Sequence, residues 1–462
     1  AHTPCELAGT AVSANRLGES WRAYETTRSM SKTPWVARVA SRFRGGFKPK
    51  AYGDATWRTI GREAEHPVVS NNPSTPLAFE VQKLWGRLNR AGNFKVEREP
   101  CGLVVGLVGP RYTFSAEVGK GTIEIVTEPA NDLNELADIY EEAMDHLIAA
   151  AADFDAKVLG YGIQPLSILD DSMMLPKARY KALREVIGDP WLAFTGTAAD
   201  QVHVSITEDE IISHTNVANL MAPAVIALCA NSSVCAGRVQ GVCSSREKLM
   251  SRTYGEPQRY GMIHGPHADV EEMVVKYAEQ SMALTVDYQA WGKGNLFEYL
   301  QTQTPCGDTE MAAFLRHEHY IWNSARPRSQ HGTLEMRAAC QQPWSERHAA
   351  AALNMGLVCA GTHLDELVNK FVGPRDVSWP LMQEYYQQAV VSGLAASEPV
   401  PDYLCRVLEV CGEALQKRGR GEDKYLHPLW RRLECRRNPA QDATQAFQQG
   451  GMEALIQLSE CK

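Results

Sequence analysis

Apolar residues alternate with polar ones over many short stretches in the first two-thirds of the chain, and then give way to helical spacing. Alternation predicts strands in RTIGREAEH (58–66), LVVGLVG (103–109), YTFSAEV (112–118), GTIEIVT (121–127), KVLGYGIQPL, ADQVHVSI (199–206) and GTLEMRAA (332–339). Apolar positions three and four apart predict helices over 76–92, 130–154, 176–187, about 208–230, 269–289 and 308–320. Asn131 or Asp132 is suited to cap the second of these. Residues 231–262 are rich in Gly, Ser and Arg and have no clear period. After residue 343 the pattern is helical throughout, apart from turns near 373–379 and 396–401. Few strands read as the continuous Val/Ile runs of a sheet covered on both faces. One face is expected to pack on helices while the other stays polar, which favours an α+β fold with an antiparallel sheet. Three parts are expected: an N-terminal helical and irregular extension (1–57), the antiparallel sheet with inserted helices (58–343), and a helical part (344–462) packed on the same domain.

Composition narrows the function classes. The chain has 462 residues, 44% hydrophobic and 22% charged, with a net charge of −8, and reads as a globular protein with a sizeable core. That charge gives no footprint for nucleic acid, and basic runs such as RGR (418–420) are short. LMAPAVIALCA (220–230) falls short of a membrane span and is expected to be a buried helix. AHTPCELAGTAV lacks a basic-then-apolar signal architecture. The 12 cysteines form no CxxC pair, and Cys229 and Cys359 fall in helical patterns. Reduced core thiols in a cytoplasmic compartment are therefore expected, with Cys235 and Cys243 the pair to inspect for redox chemistry. Small-molecule partners, rather than nucleic acid or membrane, and a monomer or homodimer are expected.

The period of two also places charge. Glu63 and Glu65 share one face of their strand with Gly61; Glu124 shares a face with Thr122 and Val126; His203 with Gln201 and Ser205; Glu335 and Arg337 with Thr333. Any one of these glutamates alone reads as a solvated surface group, and His203 alone as a hydrogen-bonded core histidine. It is their repeated one-sidedness that carries the argument. Carboxylates gathered on one face repel unless a cation lies among them, and hard oxygens plus one imidazole suit Mg²⁺ or Mn²⁺ better than structural zinc. Such ions beside arginines are the usual apparatus for phosphoryl transfer from a nucleoside triphosphate. Glu335 and Arg337 lie roughly 6.5–7 Å apart along a strand, which is far for a direct ion pair, so either each finds a partner elsewhere or both point at the same charged ligand. No GxxxxGK[ST], GxSxG or HExxH motif competes.

IGREAEHPVV resembles a strand motif of plant- and cyanobacterial-type glutamate–cysteine ligases. TIEIVTEPANDLNEL, LGYGIQP, LPKARYKALREVI, TAADQVHVSI, ANSSVCAGRVQGVCSSREKLM, GTLEMRAACQQP and NPAQDATQAFQQGGMEAL resemble successive blocks of that family in the same order, over about 58–460. The resemblance implies a glutamine-synthetase-like fold, in which a curved antiparallel sheet forms a funnel with helices on its outer face. It also implies an ATP- and Mg²⁺-dependent ligase that phosphorylates the side-chain carboxylate of glutamate and joins it to an amine, most simply cysteine. Another amino acid or small amine is the alternative acceptor, and a non-catalytic glutamate- or nucleotide-binding relative a third reading. By the same resemblance Glu63, Glu65, Glu124, His203 and Glu335 are metal ligands, and Arg337 steadies the transferring phosphoryl group. Arg246, Arg259 and Gln164 are placed as substrate-binding residues, and Arg179 at the nucleotide. Arg62 departs from the family pattern and is expected to put a cation beside the metal site.

Overall fold

Alternation resolves into one open antiparallel sheet. The computed structural model describes residues 34–49, 55–72, 77–252, 259–303 and 307–462. The nine strands are β1 (Ile60–Ser70), β2 (Lys95–Arg98), β3 (Val104–Val108), β4 (Tyr112–Ala116), β5 (Thr122–Thr127), β6 (Ala156–Val158), β7 (Asp200–Ser205), β8 (Ala325–Arg328) and β9 (Thr333–Met336). Their order is β8-β9-β7-β1-β5-β4-β3-β2, with β6 pairing the far end of β1. At 11 residues β1 is the longest strand and runs past the expected 58–66. It pairs with β5 and β7 near its start and with β6 at its end. The stretch expected to be helical over 76–92 narrows to a short turn and the helix Trp85–Ala91.

Residues that alternate inward on these strands, among them Ile60, Ala64, Ile123, Ile125, Val202, Val204 and Leu334, are buried and belong to one core cluster. Helix α1 (Leu133–Ala152) covers this face, and Asp132 caps it by accepting from the backbone N–H groups of Asn134 and Glu135. Helix α2 (Ile211–Cys229) runs through the core; Glu208–Cys229 is apolar enough by length and composition to cross a membrane, yet 89% of its apolar 18-residue window is buried within the fold. LMAPAVIALCA is buried as expected, in a helix that extends N-terminally through polar residues that find partners inside. Asn219, for instance, donates to the carbonyls of Thr215 and Ala325. The C-terminal helices contribute Tyr403, Leu408 and Leu415 to the same core, and Leu159 bridges to Glu460.

Arg62 belongs to the helix-covered face. Its Nε and Nη2 grip Asp200 at 2.7 and 2.8 Å, both side chains fully buried, and its guanidinium lies 3.9 Å from the Tyr140 ring centroid. The expected cation beside the metal site is thus absent, because Arg62 alternates away from Glu63 and Glu65. The ten described cysteines are free, Cys235 and Cys243 among them; Cys5 and Cys306 lie outside the described residues.

Candidate active site

The polar face gathers two groups of potential ligand atoms, each within 4.8 Å of one another: Glu63, His203 and Glu335, and Glu65, Glu117 and Glu124. Strand register explains both. His203 sits opposite Gly61 on β1 and opposite Glu335 on β9, so the imidazole lies between the Glu63 and Glu335 strands. Glu65 sits opposite Glu124 on β5. Glu117 lies one residue beyond β4, on the bend leading to Gly119; alternation over 112–118 puts it on the polar face with Thr113 and Ser115, so the period of two reaches it although it was not singled out as a ligand.

In the first group His203 Nε2 is 3.1 Å from Glu63 and Nδ1 is 3.1 Å from Thr333 Oγ1. Burial pushes the Glu63 carboxyl up, but His203 outweighs it and holds the group below the usual range. Glu335 is surrounded by arginines. Arg326, directly opposite on β8, forks onto its carboxylate at 2.9 and 3.1 Å; Arg328 lies at 3.5 Å; and Arg337 ion-pairs with it directly. Burial opposes its charge, yet Arg326, Arg337 and Arg328 together keep it far below the ordinary carboxylate range. The expectation that Glu335 and Arg337 do not pair is therefore wrong: the strand spacing separates their Cα atoms, and the long arginine side chain folds back across it. Arg326 and Arg328 were also missed. The segment ARPR carries a proline and no apolar alternation, so it gives no strand signal.

The second group has the opposite character. Burial, then the neighbouring Glu117 charge, push the Glu65 carboxyl up to about 8, with Arg246 opposing. Burial with Glu117, Glu63 and Glu65 push Glu124 well above its usual range. Glu65 accepts from Gln201 Nε2 at 2.8 Å and from the Ala199 N–H at 2.7 Å. Gln201 Oε1 in turn accepts from Arg337, so one amide links the two groups. Nearby Lys177 donates to the Ala116 carbonyl at 2.6 Å; burial and Arg179 lower it to about 8 against the pull of Glu117 and Glu124.

The remaining predicted residues separate. Arg246, on the short helix Ser245–Met250, is buried, ion-pairs with Glu247 at 2.6 Å and leaves its buried Nε without a partner. Glu247 also accepts from the hydroxyls of Tyr260 and Tyr386 at 2.9 and 2.5 Å, which fixes the arginine. Arg179 lies over the Tyr180 ring at 5.1 Å, among groups that include Glu117 and Tyr320. Gln164 donates to the carbonyls of Val68 and Gly121 at 3.1 and 3.0 Å and is fully buried. It is a tie between β1 and the turn into β5 rather than a substrate ligand. The described bonds of Arg259 run to the carbonyls of Tyr320 and Ser281. Both were placed by resemblance alone, and in both the local backbone claims the donors.

Beyond Glu63 and His203 the face opens into a cavity of about 330 Å³, lined also by Thr59, Val126, Pro129, Ser205 and His331.

The same architecture occurs in solved proteins. A glutamate–cysteine ligase from Francisella tularensis, in complex with AMP, superposes with a TM-score of 0.54 at 12% identity, over 88% of each chain. A bifunctional glutathione synthetase from Pasteurella multocida gives 0.52 at 12% identity, over 91% of this chain and 52% of that one. In sequence, the chloroplastic glutamate–cysteine ligase of Brassica juncea is 24% identical over 449 residues, covering 92% of this chain and 82% of the relative. The Arabidopsis thaliana enzyme is 24% identical over 394 residues, covering 80% and 72%. The description "Glutamate-cysteine ligase family 2" matches residues 59–458, which takes in all nine strands and both groups of acids, and this chain belongs to that family of ATP-dependent ligases.

Proposed function

We propose that this protein uses ATP and Mg²⁺ to join the side-chain carboxylate of glutamate to an amine, most simply cysteine, giving γ-glutamylcysteine, ADP and phosphate. The observation that carries this reading is the gathering of two clusters of acids on one sheet face, with Arg337 against Glu335 in the first and Arg246, from the helix Ser245–Met250, acting on Glu65 in the second. Each arginine keeps a buried Nε without a partner. Buried guanidinium N–H groups left unpaired are costly, and an anionic substrate group is the natural acceptor.

The donor set fits Mg²⁺ or Mn²⁺: every potential ligand is a carboxylate oxygen apart from the imidazole of His203. Glu63, His203 and Glu335 would hold one ion and Glu65, Glu117 and Glu124 another. Mg²⁺ bound there would neutralise phosphate charge.

The chain's own residues supply the rest. Arg246, fixed by Glu247, offers its fork to the amino-acid carboxylate and orients glutamate with its side chain toward Arg337. The side-chain carboxylate attacks the terminal phosphorus of ATP, ADP leaves, and an acyl phosphate forms. Arg337, reaching over Glu335 and Gln201, donates to the phosphoryl oxygens, where negative charge develops in the transition state. The amine nitrogen then attacks the acyl carbon, the C–O bond to phosphate breaks, and the amide remains. The helix-covered rear of the sheet keeps these groups in fixed register.

The test is ADP release with glutamate, ATP and Mg²⁺ across a panel of amines that includes cysteine. Amine-dependent release, strongest with cysteine, is expected. Release with none of the panel would overturn the reading, and a preference for another amine would keep the ligase and replace its acceptor.

A further inference from the structure

The charge on the polar face is distributed unevenly. Arg326, Arg328 and Arg337 all converge on Glu335, and none of these four lines the 330 Å³ cavity. The cavity itself is lined by the Glu63 carboxylate, the hydroxyls of Thr59 and Ser205, apolar Val126 and Pro129, and the imidazole of His331. Arg62 contributes to the same wall but spends its guanidinium on Asp200 behind the sheet. A phosphate chain is therefore favoured on the arginine side and disfavoured in the cavity, which suits an uncharged, planar group with hydroxyls. Its volume lies at the lower end of the range for small-molecule sites, roughly 300–1,000 Å³.

His331 is placed by its backbone. It sits in the turn between β8 and β9, where its N–H donates to the Arg328 carbonyl at 3.1 Å. Gly332 follows at φ +64°, a conformation that L side chains rarely adopt, and the turn delivers the imidazole to the cavity mouth. The ring stands edge-on to His203, centroids 5.8 Å apart at 83°. Among the described residues, none hydrogen-bonds to its ring nitrogens. Neither the core nor the acid clusters need it in this position.

We propose that His331 is the stacking surface for the base of the nucleotide, and that the cavity takes base and ribose while the phosphates extend past His203 toward the arginines. The assignment rests on the ATP-dependent reading given above. An aromatic face against a base tolerates its identity and contributes to ground-state binding, so the effect belongs in nucleotide affinity rather than in the chemical step.

The experiment is calorimetric titration of the full chain with ATP, and with tripolyphosphate as a control lacking base and ribose. His331→Ala is expected to weaken ATP by about tenfold, with tripolyphosphate unchanged within about twofold. His331→Phe is expected to restore ATP binding to within about threefold of the wild type, and His331→Asn, polar but without an aromatic face, to behave like the alanine variant. Equal weakening of ATP and tripolyphosphate would place His331 at the phosphates or a metal and overturn the proposal. So would failure of phenylalanine to restore binding, an alanine variant that binds ATP as the wild type does, or a wild type that binds no ATP. If the wild type binds ATP but releases no ADP with any amine, the ligase reading falls while the stacking assignment is still decided by these titrations.

Discussion

Arg326 holds Glu335 in a two-pronged grip across the β8–β9 ladder, Nε to Oε2 at 2.9 Å and Nη2 to Oε1 at 3.1 Å, with its remaining nitrogen on the carbonyls of Glu318, His319 and Ile321. All three nitrogens of this arginine are engaged, so its role is to orient the carboxylate. The carboxylate in turn is the shared counter-charge of three arginines.

Glu335→Gln removes that counter-charge while leaving the cations buried. Breaking a buried pair from one side costs about 3–5 kcal/mol, because the partner charge is stranded. The variant is expected to lose ADP release and also that much unfolding free energy, read by urea denaturation. Glu63 separates the two effects. Its side chain is 30% exposed and, among the described residues, hydrogen-bonds only to His203, so Glu63→Gln is expected to lose activity with less than about 1 kcal/mol of stability. Equal destabilisation by both would assign both carboxylates to structure alone.

Glu65, Glu117 and Glu124 give a second expectation. A carboxyl with a raised folded pKa stabilises the fold while protonated, and that stability is lost as pH rises through the folded value, here about 8 for Glu65 and well above the usual range for Glu124. Without a cation, stability is expected to fall from pH 6 to 9. Mn²⁺ binding requires the ionised form, so its addition at pH 7 is expected to release on the order of one to two protons per chain. Calorimetry in buffers of different ionisation enthalpy counts them, and zero proton release would remove this cluster from metal binding.

The strands' alternation made most of this legible. Glu63, Glu65, Glu124, His203 and Glu335 lie within strands and Arg337 one residue past β9, where a period of two fixes the face without any knowledge of the partners. Applied to Arg62, the same rule sends it to the far face, and the contrary expectation came from family comparison overriding the period. Arg326 and Arg328 were illegible for the reverse reason: they flank Pro327 in a segment with no apolar rhythm, whereas Glu117 lies on the polar face of the predicted strand 112–118 and is reached by the same period. Gln164 and Arg259 show a different limit. A sequence reveals a polar side chain but not the backbone carbonyls that fold around it, and those are what both residues bind.

His317 supplies an acid-side prediction away from the carboxylates. Its Nε2–H donates to the Tyr277 carbonyl at 2.7 Å and its buried Nδ1 has no partner, so a second proton would be a charge without acceptor. Burial foremost, then Arg259, lower it to about 3. Unfolded, an imidazole titrates near ~6.5. Between these values the unfolded chain binds a proton that the folded chain refuses, so stability falls as pH drops, by about 2 kcal/mol from pH 7.5 to 5. The raised carboxyls of Glu65 and Glu124 act in the opposite direction over part of this window, so the comparison must be between proteins that share them. His317→Gln keeps an N–H for the Tyr277 carbonyl and cannot titrate. Denaturation of both proteins across this range is expected to show the wild type losing that extra ~2 kcal/mol relative to the variant. Parallel curves would mean that His317 already carries its proton in the folded protein, and the unpartnered Nδ1 would then need an acceptor.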